Sequence, residues 1–186
     1  GAFTDLARRM GVAARTFENQ QLTDKLVANP TLSDGVAVFD AAGHGNQAAE
    51  GATIADSLSA ARLAMRRQTG LAGDLIDVAP RFVLVPPDLE TAMQQALSDI
   101  QANETAQVNP FSALTLLVEP RLTAASTWYV VADPASIDGL EYAYLEGAPG
   151  PQIETRAGFE VDGVQIRIRL DFGCGWVDHR GWFKVN

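Results

Sequence analysis

The sequence predicts an α+β fold in which helices and strands occupy different parts of the chain. Apolar residues recur every three to four positions in three segments, at about residues 4–29, 53–68 and 86–100. Apolar and polar residues alternate along two later runs, residues 153–161 and 164–172. A length of 186 residues fits one domain, or one core with a subsidiary lobe.

The first predicted helix is longer than the average globular helix. Thr4 is a suitable N-cap, and Asn29-Pro30 ends the helix because the residue before proline is driven out of the helical region. Such a rod is roughly 35–40 Å long. Its apolar residues form two offset stripes, Leu6, Met10, Ala13 and Phe17, then Leu22 and Leu26. This pattern favours a rod that different chains cover from its two sides.

The sequence pattern in the middle of the chain predicts four short strands and two further helices. The predicted strands are apolar runs at residues 36–39, 81–85, 114–118 and 128–131. A glycine-rich loop is predicted at residues 41–51, before the second helix. The third helix begins at Pro86-Pro87-Asp88 and keeps the 3.6-residue period through Ile100.

The two alternating runs predict one long hairpin with an apolar face and a charged face. Asp162-Gly163 between them is typical of a two-residue turn. That turn places Arg156 opposite Arg169 and Glu154 opposite Asp171, with attractive pairs only on the diagonals. Two interpretations stay open, a solvated face or a charged strip that pairs with another subunit.

Composition excludes several classes of protein. With 14 Lys and Arg against 23 Asp and Glu, the net charge of −9 argues against binding nucleic acid through its phosphates. A single cysteine, Cys174, cannot form an internal disulfide and is typical of a reducing compartment. The longest apolar run, residues 82–87, is too short to span a membrane.

No motif in the sequence predicts a catalytic, cofactor or metal site. Residues 43–48 match Gly-x-Gly-x-x-Ala, but no helix follows at once and no acidic residue follows about 20 positions on. His44 has no Cys or second His near it in sequence, and His179 lies far along the chain. A hydrolase that used His44 or His179 would need a concave pocket with a carboxylate and a nucleophile beside the histidine.

Three aromatic residues, Trp176, Trp182 and Phe183, lie in a short glycine-rich segment near the end of the sequence. They are either core anchors of a sheet or exposed interface residues, where tryptophan is enriched. The candidate subunit-interface residues are the charged residues of the hairpin and one tryptophan: Glu154, Arg156, Arg167, Arg169, Asp171 and Trp182.

A set of short strings runs in order along the chain. They lie at residues 8–11, 29–35, 38–39, 44–46, 80–87, 109–111, 118–122, 128–134, 141–147, 150–156 and 158–159, and the strongest are EYAYLEG and GPQIETR. Together they resemble the major capsid proteins of tailed bacteriophages and prophages over nearly the whole sequence. The branch most similar is that of the Mu-like major head subunit, which includes fusions of a prohead protease and a major capsid protein.

The resemblance implies the Hong Kong phage-type capsid fold, with a long spine helix, an axial-lobe α/β core and a long antiparallel hairpin. It assigns residues 1–50 to the peripheral lobe, 51–133 to the axial lobe, and 134–186 to the return to the peripheral lobe and a C-terminal strand. An N-terminal arm and an extended loop precede the spine helix in that family. Since the sequence opens Gly-Ala-Phe without Met, both are expected to be absent from this piece.

The resemblance also implies a structural head subunit, which forms the hexamers and pentamers of an icosahedral shell around DNA. The implied partners are copies of itself, a scaffold and a prohead protease, with no specific nucleic-acid binding, no membrane and no cofactor. Assembly is expected in the bacterial cytoplasm, and the final location is the virion. Two other classes stay open, a hydrolase or protease-related fragment that uses His44 and an acidic prophage binding module.

Overall fold

The computed structural model describes residues 2–98, 109–157 and 164–186, and the statements below concern these residues. The α-helices are α1 (Ala2–Val27), α2 (Ile54–Arg66) and α3 (Glu90–Leu97), with a short 3-10 helix at Pro87–Leu89. The strands are β1 (Gln47–Ala48), β2 (Pro80–Val85), β3 (Thr115–Val118), β4 (Trp128–Ala132), β5 (Leu140–Tyr144), β6 (Gln152–Ala157), β7 (Val164–Arg169), β8 (Phe172–Trp176) and β9 (Trp182–Val185). None of these helices is long and apolar enough to cross a bilayer.

The chain divides into two compact units. The first unit is Gly1–Leu26 with Leu140–Gly175, and the second is Val27–Gly139 with Trp176–Asn186. The mixed helix and strand content agrees with the predicted α+β class. The assignment of residues to peripheral and axial lobes stays a prediction, because a division into compact units does not show which unit corresponds to which lobe.

Helix α1 of the first unit presents one side to its own unit and an apolar stripe to the surface. The predicted N-cap at Thr4 is wrong, because the helix begins at Ala2 and Thr4 lies inside it. Ala14 is buried. Leu6 and Phe17, from the first predicted stripe, are exposed. At 100° per residue these two side chains lie about 20° apart around the helix, and Ala14 lies about 60–80° from them.

The hairpin of β6 and β7 is present, but its predicted register is wrong. Ala157 pairs with Val164, Thr155 with Ile166 and Ile153 with Ile168, so each residue pairs four positions earlier than expected. The predicted Asp162-Gly163 turn lies outside the described residues. Because the shift is an even number, every side chain keeps its predicted face.

The alternating run predicted at residues 164–172 ends earlier than expected, because the chain leaves the hairpin after Arg169. It then forms β8, which pairs with β5 in a separate two-stranded sheet. The rings of Tyr142 and Tyr144 on β5 each lie 5.8 Å from the ring of Phe172. The Tyr144 hydroxyl donates to Glu18 of α1 at 2.9 Å, and this hydrogen bond raises the pKa of Tyr144.

The second unit is built on a five-stranded sheet of order β1-β9-β4-β2-β3. The outer pairs, β1 with β9 and β2 with β3, are parallel, and the inner pairs are antiparallel. One core cluster joins alternate residues of the inner strands to α2 and α3: Leu58, Ala61, Met65, Met93, Val83, Val85, Trp128, Val130, Phe183 and Val185. Helices therefore cover one face of this sheet.

Several predicted elements of the second unit are confirmed. Helix α2 begins after Thr53, whose side chain accepts a hydrogen bond from the backbone N–H of Asp56. The predicted strands at residues 81–85, 114–118 and 128–131 correspond to β2, β3 and β4 within one residue at each end. The predicted third helix starts as a 3-10 turn at Pro87, and Ile100 lies outside the described residues.

The strand predicted at residues 36–39 is wrong, apart from a single bridge between Thr31 and Ala37. The reason lies in Asn29, which has a positive φ of 46°. Its side-chain amide donates to the carbonyl of Phe39 and accepts from the N–H of Phe39. The Asn29 side chain thereby satisfies the N–H and C=O groups of Phe39, which would otherwise pair with a neighbouring strand. The first strand comes later, in the predicted loop, where Gln47 and Ala48 pair with β9.

The burial of Tyr129 on β4 predicts that the protein loses stability at alkaline pH. Burial raises the pKa of Tyr129 to about 12, above the ordinary value of 10.0. Folding therefore favours the protonated phenol, and this contribution is complete below pH 10 and lost as the pH rises towards 12. We expect urea unfolding to show a loss on the order of 2–3 kcal/mol across that window. Tyr129→Phe is the control, and an unchanged alkaline loss in that variant contradicts the assignment.

Candidate functional site

The charged residues of the hairpin lie together on one face of the β6–β7 ribbon. Glu154 and Arg156 of β6 share this face with Arg167 and Arg169 of β7, because side chains alternate along each strand. Asp171 follows β7 two residues later. We call Glu154, Arg156, Arg167, Arg169 and Asp171 the charged strip.

The observed register changes the electrostatics of the charged strip. Glu154 lies directly opposite Arg167, with 2.9 Å between Oε2 and Nη2, and the predicted like-charge opposition of Glu154 and Asp171 is absent. The guanidinium of Arg169 contacts the Asp171 carboxylate at 2.7 Å. Glu154 and both arginines are exposed and Asp171 is half-buried, so the pairs contribute little stability. With three arginines and two acids, the strip is a positive patch on a chain whose net charge is −9.

The opposite face of the ribbon carries apolar side chains that its own unit covers only in part. Ile153 pairs with Ile168, and Thr155 pairs with Ile166. Ile153 is exposed, and Ile166 and Ile168 are half-buried. The ribbon is a sheet of only two strands among the described residues, so its edges also keep free backbone groups.

Trp182 lies elsewhere, on the sheet of the second unit. It is half-buried on the side opposite the helices, next to Tyr129 and Trp176, with edge-to-face ring contacts. Its indole also lies against Gly139, where any side chain would collide with the indole nitrogen. Trp182 therefore anchors the aromatic side of this sheet, and its predicted role in a subunit interface stays a prediction.

The two histidines of the chain, far apart in sequence, meet in the second unit. The His44 and His179 rings stack with centroids 3.5 Å apart and planes 10° apart. Asp34 completes the group, and its Oδ2 lies 2.9 Å from Nε2 of His44. The three residues come from three connecting segments, a turn after α1, the glycine-rich loop and the turn before β9.

His44 is fixed by oxygen atoms at both ring nitrogens. Its side chain is 4% exposed, and Nδ1 donates to the carbonyl of Val38 at 3.1 Å. A carbonyl oxygen only accepts, so Nδ1 carries a hydrogen and Nε2 is the nitrogen that faces Asp34. The hydrogen bond from His44 is the main cause that lowers the pKa of Asp34.

His179 is held mainly by packing. Its side chain is 13% exposed, and its Nδ1 lies 4.0 Å from Asp178, beyond hydrogen-bond distance. Burial first, and the charge of His44 second, lower the pKa of His179 to about 4. His179 is therefore neutral at pH 7, with a lone pair on one ring nitrogen.

A cleft of about 600 Å³ opens beside the two histidines. The residues lining it include Arg67, Gln68, Thr69 and Arg180. The hydrolase interpretation requires a nucleophile here, but the described lining residues include no Ser or Cys, and Thr69 supplies the one hydroxyl. The arrangement thus offers a carboxylate and two imidazoles, which suit cation binding better than acyl transfer.

A family profile for phage capsid proteins matches residues 1–185, nearly the entire sequence. The chain belongs to the phage capsid protein family. The predicted resemblance to phage capsid proteins is therefore confirmed at the level of the family.

Comparison with solved structures shows the fold of this capsid protein in another phage-related protein. The crystal structure of a phage-related protein from Bordetella bronchiseptica RB50 matches with a TM-score of 0.54 at 9% identity, over 80% of this chain. The procapsid of satellite phage P4, solved with its size determination protein, matches with a TM-score of 0.37 at 12% identity, over 75% of this chain. The chain spans 59% and 43% of the length of these two relatives. No curated protein matches the sequence.

Membership of the phage capsid protein family supports a structural role for this chain. Candidate interface residues are therefore of more interest than candidate catalytic residues. The alternation of charged and apolar residues predicted the charged strip. The Asp34–His44–His179 group was not predicted, because no spacing rule connects His179 to residues as far away in sequence as His44.

Proposed function

We propose that this chain is the shell-building part of a major capsid subunit with the Hong Kong phage-type fold. Copies of it form hexamers and pentamers that close into an icosahedral shell around the DNA of a tailed phage or prophage. The family match over residues 1–185 supports this proposal. Within the family, the strings at residues 141–147 and 150–156 favour the Mu-like major head branch, including its protease fusions.

The proposal assigns α1 and the β6–β7 hairpin to the peripheral lobe and residues 51–133 to the axial lobe, with α1 as the spine helix. Residues 140–175 then return to the peripheral lobe, and the C-terminal strand β9 lies with β2, β3 and β4 in the sheet of the second unit. This is supported by the compact units, since α1 and the hairpin share the first unit and residues 51–133 lie within the second.

The observation that carries the proposal is the two-stranded ribbon of β6 and β7. An isolated pair of strands is marginal in water and needs a further surface to pack against. Within the described residues the ribbon has no third strand, and its apolar face is covered only in part. A neighbouring subunit supplies the missing surface on the apolar face, and the charged strip on the opposite face attracts further copies because each copy is acidic.

The acidic composition also fits the contents of the shell. An acidic lining repels packaged DNA and keeps the genome from adhering to the wall. The proposed partners are therefore copies of this chain, a scaffold and a prohead protease, and they assemble in the bacterial cytoplasm without sequence-specific binding of nucleic acid. A basic inner surface in the assembled particle would contradict this part of the proposal.

The test is assembly of the complete protein, expressed with its scaffold and protease and examined by electron microscopy and sedimentation velocity. We expect capsomers or shells, and we expect Phe17→Ser on the exposed stripe of α1 to reduce them strongly, because apolar interface area is lost. Leu63→Ser is the matched control, since Leu63 on α2 is 52% exposed and Phe17 is 51% exposed. A strictly monomeric wild-type protein at high concentration contradicts the proposed function.

A further inference from the structure

We propose that Asp34, His44 and His179 form a binding site for a divalent transition-metal ion, best matched by Zn²⁺. This site does not depend on the proposed role in shell assembly. It lies within the second unit and joins three segments that are distant in sequence.

The three residues supply the number of donor atoms that such an ion requires, close to one another. One ligand atom from each residue lies within 4.8 Å of the other two. Nε2 of His44 and Oδ2 of Asp34 are 2.9 Å apart. Neighbouring ligands at 2.0–2.1 Å from a tetrahedral zinc ion are about 3.3–3.4 Å apart, so these two atoms need to separate by only about 0.5 Å to share an ion.

The surroundings of His44 orient it for this role. The Nδ1 hydrogen bond to the Val38 carbonyl directs Nε2 at Asp34, and Nε2 becomes the coordinating nitrogen when the ion replaces the hydrogen between Nε2 and Asp34. Asn46 also donates to the Val38 carbonyl, at 2.8 Å, and Gln68 donates to the His44 carbonyl at 2.9 Å. The loop that carries His44 is thereby held in place from both sides.

His179 has to move for the site to close. Its ring is parallel to that of His44, so the lone pairs of the two rings run side by side and do not meet at one point. No described hydrogen bond holds the ring nitrogens of His179, and a side-chain rotation can direct one of them at the ion. The ring stack is lost in this step, and a metal–nitrogen bond replaces it.

The chemistry of the donors selects the class of ion. Two imidazoles and one carboxylate suit Zn²⁺ and other divalent transition-metal ions, whereas Ca²⁺ and Mg²⁺ prefer sets of oxygen ligands. Three protein ligands leave a fourth position of a tetrahedral ion for water. An ion bound here ties the turn before β9 to the loops after α1, so binding energy adds to the stability of the second unit.

The experiment is isothermal titration calorimetry of ZnCl₂ into the chelator-treated protein, with CoCl₂ as a spectroscopic probe. We expect one saturable site per chain, a visible cobalt spectrum and a higher midpoint of thermal unfolding with Zn²⁺. Asp34→Asn and His179→Gln should each weaken binding by at least about tenfold. These two variants are chosen because Asp34 is exposed and no described hydrogen bond holds the ring nitrogens of His179, whereas a substitution of buried His44 would disrupt folding.

Asp74→Asn is the matched control, since Asp74 is an exposed aspartate of the same unit that supplies none of the three ligand atoms. It should bind Zn²⁺ as tightly as the wild type. Absence of saturable binding overturns the proposal. Equal binding in Asp34→Asn and His179→Gln also overturns it, because the metal then binds elsewhere on the surface.

Discussion

Replacing Arg156 and Arg169 together with glutamate is expected to weaken subunit assembly by at least tenfold. The change converts the charged strip from three arginines and two acids to one arginine and four acids. An acidic neighbour is then repelled where it was attracted, and like charges across an interface cost several kcal/mol. The loss is measured as a rise in the protein concentration needed for capsomers in sedimentation velocity.

Folding of this double variant should be preserved, because both side chains are exposed and surface changes alter stability by about 0.5 kcal/mol or less. Arg81→Glu is the matched control, since Arg81 is an exposed strand arginine outside the charged strip. We expect it to assemble normally. Normal assembly of the double variant contradicts a role for the strip in the interface, and its unfolding shows that the strip is needed for the hairpin itself.

Trp128→Ala is expected to cause the largest loss of stability, about 3–5 kcal/mol, because it empties a fully buried position in the core of the second unit. Trp128→Phe is expected to cost far less, on the order of 1 kcal/mol. The indole Nε1 of Trp128 is buried with no hydrogen-bond partner among the described residues. Phenylalanine removes this unpaired donor, and that relief offsets most of the lost packing.

Both tryptophan variants are measured by urea unfolding, with the wild type as reference. The two variants differ in cavity size and not in the buried N–H group, because both remove the indole N–H and only the alanine variant leaves a large cavity. A loss in Trp128→Phe well above about 1 kcal/mol contradicts the idea that removal of the unpaired donor offsets the lost packing. A loss below about 1 kcal/mol in Trp128→Ala contradicts the assignment of Trp128 to a rigid core.

Local chemistry made parts of the fold predictable. Thr53 was expected to start the second helix, and it caps α2, because the capping interaction involves only neighbouring residues. The hairpin shows the limit of such reasoning. A period of two assigns Glu154 and Arg167 to one face, yet it does not fix which residues are opposite each other.

Contacts between distant residues could not be predicted. The apolar run at residues 36–39 was expected to form a strand, but the side chain of Asn29 binds the backbone of Phe39 instead. The strand β1 exists only because β9 lies beside it. The His44–His179 stack depends in the same way on a tertiary contact that no local pattern encodes.

The position of β9 in the sheet has a consequence for synthesis. This strand follows β1 to β8 in the chain but lies between β1 and β4 in the sheet. A ribosome therefore releases all the neighbours of β9 before β9 itself, and the edges of β1 and β4 stay open during that interval. Open edges attract other chains, so the chain most needs chaperones in the interval before β9 emerges from the ribosome.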